Sequence, residues 1–585
     1  MFRKTFLPSL VLLGLISGRG LIAAEAPPPA TTWISDNAAL VLEITKPTVI
    51  IDKLFDDRIV AAVTSHPAYK DQMARKELRE AVKAVKLLET KYDTDFHGLL
   101  NKLLGGGITI AIGPGENALL IVESAEEDVL KGIHDFLLMI VKNEARTQGD
   151  PDRVKSADYR GVTGWRFAPN EAHAIVGNRL IMANNPEILK AVLDLRAEPS
   201  QANLAKSASY QSAQDAAGSE GVATLYANMD VLRALPQFTA ALDENRNPMG
   251  MLLFAPLLES LQDASWMTLG LNVQGDKVKL DLVMDGASNS PDDADRFATP
   301  ATPTEGAMPA LKVPRQIAAM SLYRDLHQFY SAKDELFPER TSGIIFFENM
   351  MGIFFTGRDL TEEVLAETEP DVRIVVAEQD YEKEVGTPQL QFPSFAAVLR
   401  MKNPDKFAPI AEEAWQKALG LINFTRGQQA QAGLIIDRKT YKDIKYTMAY
   451  FSAADEKDRD AVDVRFNFQP AIAAAGNHLI LSSSNQLTQD LIDALNEEDN
   501  ASVKPVGGQH SILQLNGSGL ASILDSNRDT MVRQNMVEEG STREEAENNI
   551  GMLINVVRHL QSVSIRAGTE GNNAKLSIEV DVILP

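Results

Sequence analysis

The sequence predicts an α+β protein of two tandem, distantly repeated halves, each an antiparallel sheet built from hairpins and covered by helices. Three observations carry this expectation. A proline-rich stretch interrupts the chain near its middle, turn-and-strand segments recur on either side of it, and strands of period-2 alternation are joined by short turns among helical patterns.

The first element is an export signal. Arg3 and Lys4 precede an apolar run from Leu7 to Ile16, and small residues at Ala23 and Ala24 stand before Glu25 and the prolines at 27–29. That order reads as a secretory signal peptide over residues 1–24. Its apolar run is about half the roughly twenty residues that a spanning helix needs. No later run approaches that length, so the chain is expected to be periplasmic or extracellular and not membrane-embedded after cleavage. Cysteine is absent, which excludes disulfides, thiolate ligands, cysteine nucleophiles and a lipidated amino terminus. A formal charge of −23, spread along the chain, argues against nucleic acid as a partner.

The first half is expected over residues 32–286. Leu78, Val82, Val85 and Leu88 have helical spacing, Ile108–Ile112 and Ala118–Val122 read as strands, and Gly177-Asn178 is a turn leading into Arg179–Met182. The half closes on an amphipathic hairpin, Trp266–Val273 and then Val278, Leu280 and Leu282 after the turn at Gly275. Residues 287–314 carry Pro291, Pro300, Pro303, Pro309 and Pro314 among small and polar residues and read as a linker. The second half, 315–585, repeats the series. Val372–Val376 and Phe395–Leu399 match the early strands, Gly476-Asn477 and His478–Leu481 match the turn and strand, and Ser511–Leu515 is set against Val222–Tyr226. Val563–Ala567 and Leu576–Val582 form the closing hairpin.

Motifs that could carry chemistry fail in context. Gly113, Gly115 and Ala118 begin a dinucleotide-binding fingerprint, but a strand follows instead of the required helix. The next helix is expected to start at a capping box of Ser124 and Glu127. Asp243, Asn245 and Asn247 start a calcium loop in which Pro248 replaces the turn glycine and Phe254 the bidentate glutamate. The eight histidines stand singly, with no pair at helical spacing, and His134 is read as an edge-of-core or exposed residue without a role. No serine elbow or phosphate loop occurs. The Met350, Met351, Ile353, Phe354 and Phe355 cluster reads as core rather than as a partner surface. No catalytic, cofactor-binding or metal-ligating residue is assigned, and no cofactor is expected.

Tyr323-Arg324-Asp325-Leu326, the stretch from Phe346-Phe347-Glu348-Asn349 to Gly357-Arg358-Asp359, and Phe392-Pro393-Ser394-Phe395 resemble a family of uncharacterised exported bacterial proteins, mainly over the second half. The resemblance implies no activity to transfer. The repeat preserves turns and apolar positions, while Arg179 of one half faces His478 of the other, so the shared features are architectural. The sequence therefore points to a non-catalytic exported protein acting in binding, assembly or envelope organisation. An exported hydrolase with a site between the halves and an apolar-ligand carrier are the alternatives.

Overall fold

The computed structural model describes residues 28–65, 75–168, 170–218, 221–235, 248–287, 296–337, 342–453 and 461–583, with the single residues 69, 73 and 238. The stretch 1–24 expected as a signal peptide, Asp243, Asn245 and Asn247, and His66 lie outside the described residues. The chain is a mixture of helices and antiparallel sheet and divides into two compact units.

The first unit holds strands β1 (Leu40–Ile44), β2 (Gly107–Ile112), β3 (Ala118–Glu123), β4 (Lys155–Tyr159), β5 (Val162–Arg166), β6 (Ala172–Val176), β7 (Arg179–Ala183), β8 (Ala223–Asn228), β9 (Trp266–Gln274) and β10 (Lys277–Met284). They pair antiparallel in the order β4-β5-β6-β7-β3-β2-β1-β8-β9-β10. Hairpin chemistry sets the register. Gly177, at φ +60°, opens the two-residue turn between Val176 and Arg179, a backbone region closed to most side chains.

Helices α1 (Lys76–Tyr92), α2 (Phe96–Leu104) and α3 (Glu127–Thr147) pack on one another through Leu88, Leu99, Val129 and Ile133. Helices α4 (Pro186–Ala197) and α5 (Ala208–Ala217) cover one face of the sheet, where Leu189, Val192 and Tyr210 meet Val41, Ile121, Ile181 and Tyr226. The dinucleotide-like glycines form only the connection between β2 and β3, with Gly115 at φ +70°. The capping box does not form. The Ser124 hydroxyl donates to the carbonyls of Lys102 (2.9 Å) and Glu126 (2.8 Å), and α3 starts three residues later without a side-chain cap.

The second unit begins with a helix from the first half of the sequence, α6 (Pro248–Asp263). Its strands are β11 (Gln316–Tyr323), β12 (Thr368–Ala377), β13 (Ser394–Met401), β14 (Leu434–Tyr441), β15 (Ile444–Phe451), β16 (Ala471–Ala475), β17 (His478–Ser482), β18 (Gln509–Asn516), β19 (Leu560–Glu570) and β20 (Asn573–Val582). They pair antiparallel in the order β14-β15-β16-β17-β13-β12-β11-β18-β19-β20. Its remaining helices include α7 (Leu326–Ser331), α8 (Ser342–Phe354), α9 (Pro404–Gln428) and α10 (Asn485–Ala501). Leu487, Leu491, Ile492 and Leu495 of α10 cover one sheet face at Val375, Val398 and Ile480.

The described part of 287–314 departs from the expected linker. Phe297 and Ala298 are fully buried beside Met251, Ala255 and Leu258 of α6, and Leu311 and Val313 join the main core. Prolines keep the described part of this segment out of α-helix and strand, leaving one 3-10 turn at Arg296–Ala298, but its apolar side chains are free to be buried. The half expected at 32–286 is likewise interrupted, because α6 packs with the second unit.

Arg324 explains how α6 is held. Pro256 lies inside the helix and lacks the N–H that would bond the Leu252 carbonyl, and its ring crowds the preceding turn. The buried Arg324 guanidinium supplies the missing donors, giving Nε to Leu252 O at 2.5 Å and Nη2 to Leu253 O at 2.8 Å. It also donates to Tyr323 O (2.6 Å), His510 O (3.1 Å) and Ser511 Oγ (3.1 Å). Burial lowers its pKa to about 10. Next to it, Asp325 caps α7 by accepting from Gln328 N.

Two further buried histidines belong to this interior. Burial, and then Arg324, hold His510 down to about 3. Burial, and then Arg373 and Arg400, hold His478 down to about 4. Arg373 itself bonds Glu498 (2.6 Å) and Asp371 (3.0 Å) and lies 3.3 Å from His478 Nε2. In the first unit the buried Arg179 bonds Glu123 (2.7 Å) and stacks on Trp33.

Two outcomes follow. Replacing Arg324 with Leu leaves several buried carbonyls without donors and costs about 3 kcal/mol or more, read as a lower urea midpoint for the full chain; an unchanged midpoint contradicts the lock. Because His478 and His510 stay neutral when folded but titrate near 6.5 when unfolded, the unfolded chain binds more protons below that pH. Their contribution is complete above about pH 6.5 and is lost as the pH falls towards 4 and 3, with Asp371, raised by burial, acting in the opposite sense at the acid end. The urea midpoint therefore drops across pH 6.5–4, and His478→Asn flattens the slope; equal slopes in the two proteins contradict this assignment.

Candidate functional site

In both sheets the face opposite the covered core is aliphatic as well. In the first unit Met182, Leu120, Ile110, Leu42, Leu225, Leu269 and Leu282 are direct cross-strand neighbours in one row over seven strands. Their neighbours on the covered face, Val41, Ile121 and Ile181, are at most 1% exposed, whereas Ile110 is 37% exposed and the rest of the row is half-buried. An antiparallel sheet with one solvated face normally alternates apolar with polar residues. These strands do not.

The second unit has a row of the same kind, Leu481, Ala397, Ile374, Met320, Leu513, Ile565 and Ile578, each half-buried. Here the second face opens into a cavity of about 440 Å³. Leu399, Leu479 and Leu481 form its floor, α7 and α8 contribute Phe329, Phe347, Met351 and Phe354, and α9 contributes Phe407, Ala411, Ala414 and Trp415. The two hydroxyls in the lining are already bonded, Thr368 Oγ1 to Leu365 O (2.8 Å) and Tyr330 Oη to Glu348 (2.9 Å). An adjoining cavity of about 460 Å³ shares Trp415 and Leu481 and is lined by Phe395, Ile422, Leu434 and Phe451. Cavities of this size hold small molecules, and one without unsatisfied polar groups favours an apolar occupant.

The methionine and phenylalanine cluster read as core is divided by the helix period. Met351, Phe354 and Phe355 face the cavity, while Ile353 is 62% exposed. No motif in the sequence marked this site; the available signal was the run of apolar residues in β13 and β17, which suits a sheet covered on both faces.

The structure also corrects the reading of His134. It is buried and brought to His173, 39 residues away, with their Nε2 atoms 3.2 Å apart. His173 Nδ1 makes a short contact with Glu171, whose other oxygen accepts from Phe167 N at 2.9 Å. Burial, and then the neighbouring His173, lower the His134 pKa. Trp165 and Phe167 pack around the pair. His173 joins His134 to Glu171 while His134 Nδ1 lies 3.8 Å from Asp135, an arrangement that fixes the β6 strand against α3. Among the described residues no group of three or more histidine or acidic side chains is placed to hold a metal ion.

Crystal form III of TP0453 aligns with a TM-score of 0.25 at 12% identity, covering 47% of this chain and 86% of that one. Crystal form I gives 0.21 at 10% identity, covering 46% and 82%. Similarity at this level carries no argument about fold or function. No curated protein matches the chain. Residues 78–332 match the model of an uncharacterised family, described as "Protein of unknown function (DUF3352)"; the span includes Tyr323–Leu326 but lies mostly in the first half of the chain.

Proposed function

We propose that this is a non-catalytic, exported binding protein for an apolar ligand of the acyl-chain class, held in the second unit between the sheet and helices α7, α8 and α9. The observation that carries the reading is the 440 Å³ cavity, whose walls are aliphatic and aromatic and whose two hydroxyls are already bonded. An apolar cleft of this kind is stabilised when a hydrocarbon displaces the water that its walls cannot bond.

The proposal includes a tandem duplication. It is supported by the order in which the strands of each sheet pair: the sequence β4-β5-β6-β7-β3-β2-β1-β8-β9-β10 has its counterpart, ten strands later, in β14-β15-β16-β17-β13-β12-β11-β18-β19-β20. On this reading Leu225 corresponds to Leu513, one residue away from the Val222 and Ser511 pairing that the sequence suggests. Duplication also accounts for the aliphatic rows in both sheets. Export rests on the signal-like residues 1–24.

The test is binding of a fluorescent fatty acid to the mature chain, followed as a rise in probe emission. Wild type is expected to bind saturably, and Ala414→Trp, which fills the cavity from α9, to weaken binding at least tenfold while leaving the circular dichroism spectrum intact. Absence of saturable binding to the wild type, or equal affinity in the variant, contradicts the proposal.

A further inference from the structure

We infer that helix α8 is a membrane-contact element, docking the second unit on the surface of a neutral phospholipid bilayer beside the cavity that α8 walls. The inference rests on the cavity's being a binding site for an apolar ligand. Of the thirteen residues of α8, Ser342–Phe354, only Glu348 is ionisable, and its carboxylate accepts the Tyr330 hydroxyl. The helical period gives it two apolar faces. Met351 and Phe354 point to the cavity with Phe347 at its rim, 46% exposed, whereas Ile345, Phe346 and Ile353 lie on the opposite, exposed face, the last two at 66% and 62%. A helix apolar on all sides is stable in water only when something covers it. Helix α9, which packs against α8, adds exposed Leu421, Ile422 and Phe424.

The chemistry of the bare face selects lipid over protein. Protein interfaces carry about one hydrogen bond per 100–200 Å² and a polar rim. The outward stripe of α8 offers Asn349 as its one polar side chain, between Phe346 and Ile353, with no charged group to orient a partner. Phenylalanine and isoleucine need only displacement of water, which the acyl boundary of a bilayer supplies without directional bonds. A helix of thirteen residues is too short to span, so the contact is interfacial. The formal charge of −23 opposes approach to anionic headgroups and leaves zwitterionic lipid as the matching surface. The arrangement puts one helix between the bilayer and the cavity, so that an acyl chain leaving the membrane meets apolar side chains along its path.

The experiment is flotation of the mature chain with phosphatidylcholine vesicles at physiological salt. It compares wild type, the double variant Phe346→Asp with Ile353→Asp, and Ala414→Trp. Wild type and Ala414→Trp are expected to float equally, and the double variant to lose at least tenfold in vesicle affinity while still taking up fluorescent fatty acid, which shows that it is folded. Equal flotation of the double variant overturns the inference. So does a wild type that takes up fatty acid but leaves vesicles untouched, an outcome that spares the cavity reading and turns the bare face toward a protein partner. Flotation without fatty-acid uptake by any of the proteins supports the docking and removes the cavity reading alone.

Discussion

A β-sheet that is aliphatic on both faces needs two covers, and the arrangement of this protein follows from how that need is met. Helices α4, α5 and α10 close one face of each sheet, burying Val41, Ile181, Val375 and Ile480. The opposite face keeps the same residue types at half burial, in rows that run through Ile110 and Leu225 in the first unit and Ile374 and Leu513 in the second. Each incompletely covered leucine or isoleucine leaves on the order of 1 kcal/mol of available burial unused. In the second unit α7, α8 and α9 stand over that face without filling it, and the space beneath them is the cavity.

The walls of that cavity depend on a polar device. Helix α6 comes from the first half of the sequence, and its Leu252 lines the cavity. The helix carries a proline that leaves a carbonyl unserved, and Arg324 closes the gap with donors in a planar fork. A lysine could not reach the carbonyls of Leu252, Leu253, Tyr323 and His510 together. The Tyr-Arg-Asp-Leu stretch therefore has a structural meaning at each described position: Arg324 anchors α6, Asp325 caps α7, Leu326 lines the cavity, and the Tyr323 hydroxyl bonds Glu305 at 3.1 Å.

Much of the local architecture was legible because it is set by neighbours in the chain. Gly177-Asn178 and Gly476-Asn477 marked their hairpins, and the alternation of Val278, Leu280 and Leu282 marked β10. What the sequence concealed depends on contacts between distant residues. Alternation names two faces without saying which is left open. His134 and His173 stand alone in the sequence and meet only through the packing of α3 on the sheet. Ser124 had a capping partner at the right spacing, yet the Lys102 carbonyl competed for its hydroxyl. The prolines of 287–314 suggested a linker because proline signals the lack of regular structure, which is a different property from exposure, as Phe297 and Leu311 demonstrate. The cavity was hidden for a related reason: an apolar cluster such as Met351 and Phe354 has the same composition whether it fills a core or lines a space.

The most direct test of the central claim is solvent extraction and mass spectrometry of the protein purified without detergent from cells that produce it. The account predicts a stoichiometric amount of acyl-chain lipid in the wild type and a strongly reduced amount in Ala414→Trp. A wild-type protein free of extractable lipid, and unable to retain any when incubated with it, would contradict the claim that the second unit is built to hold an apolar ligand.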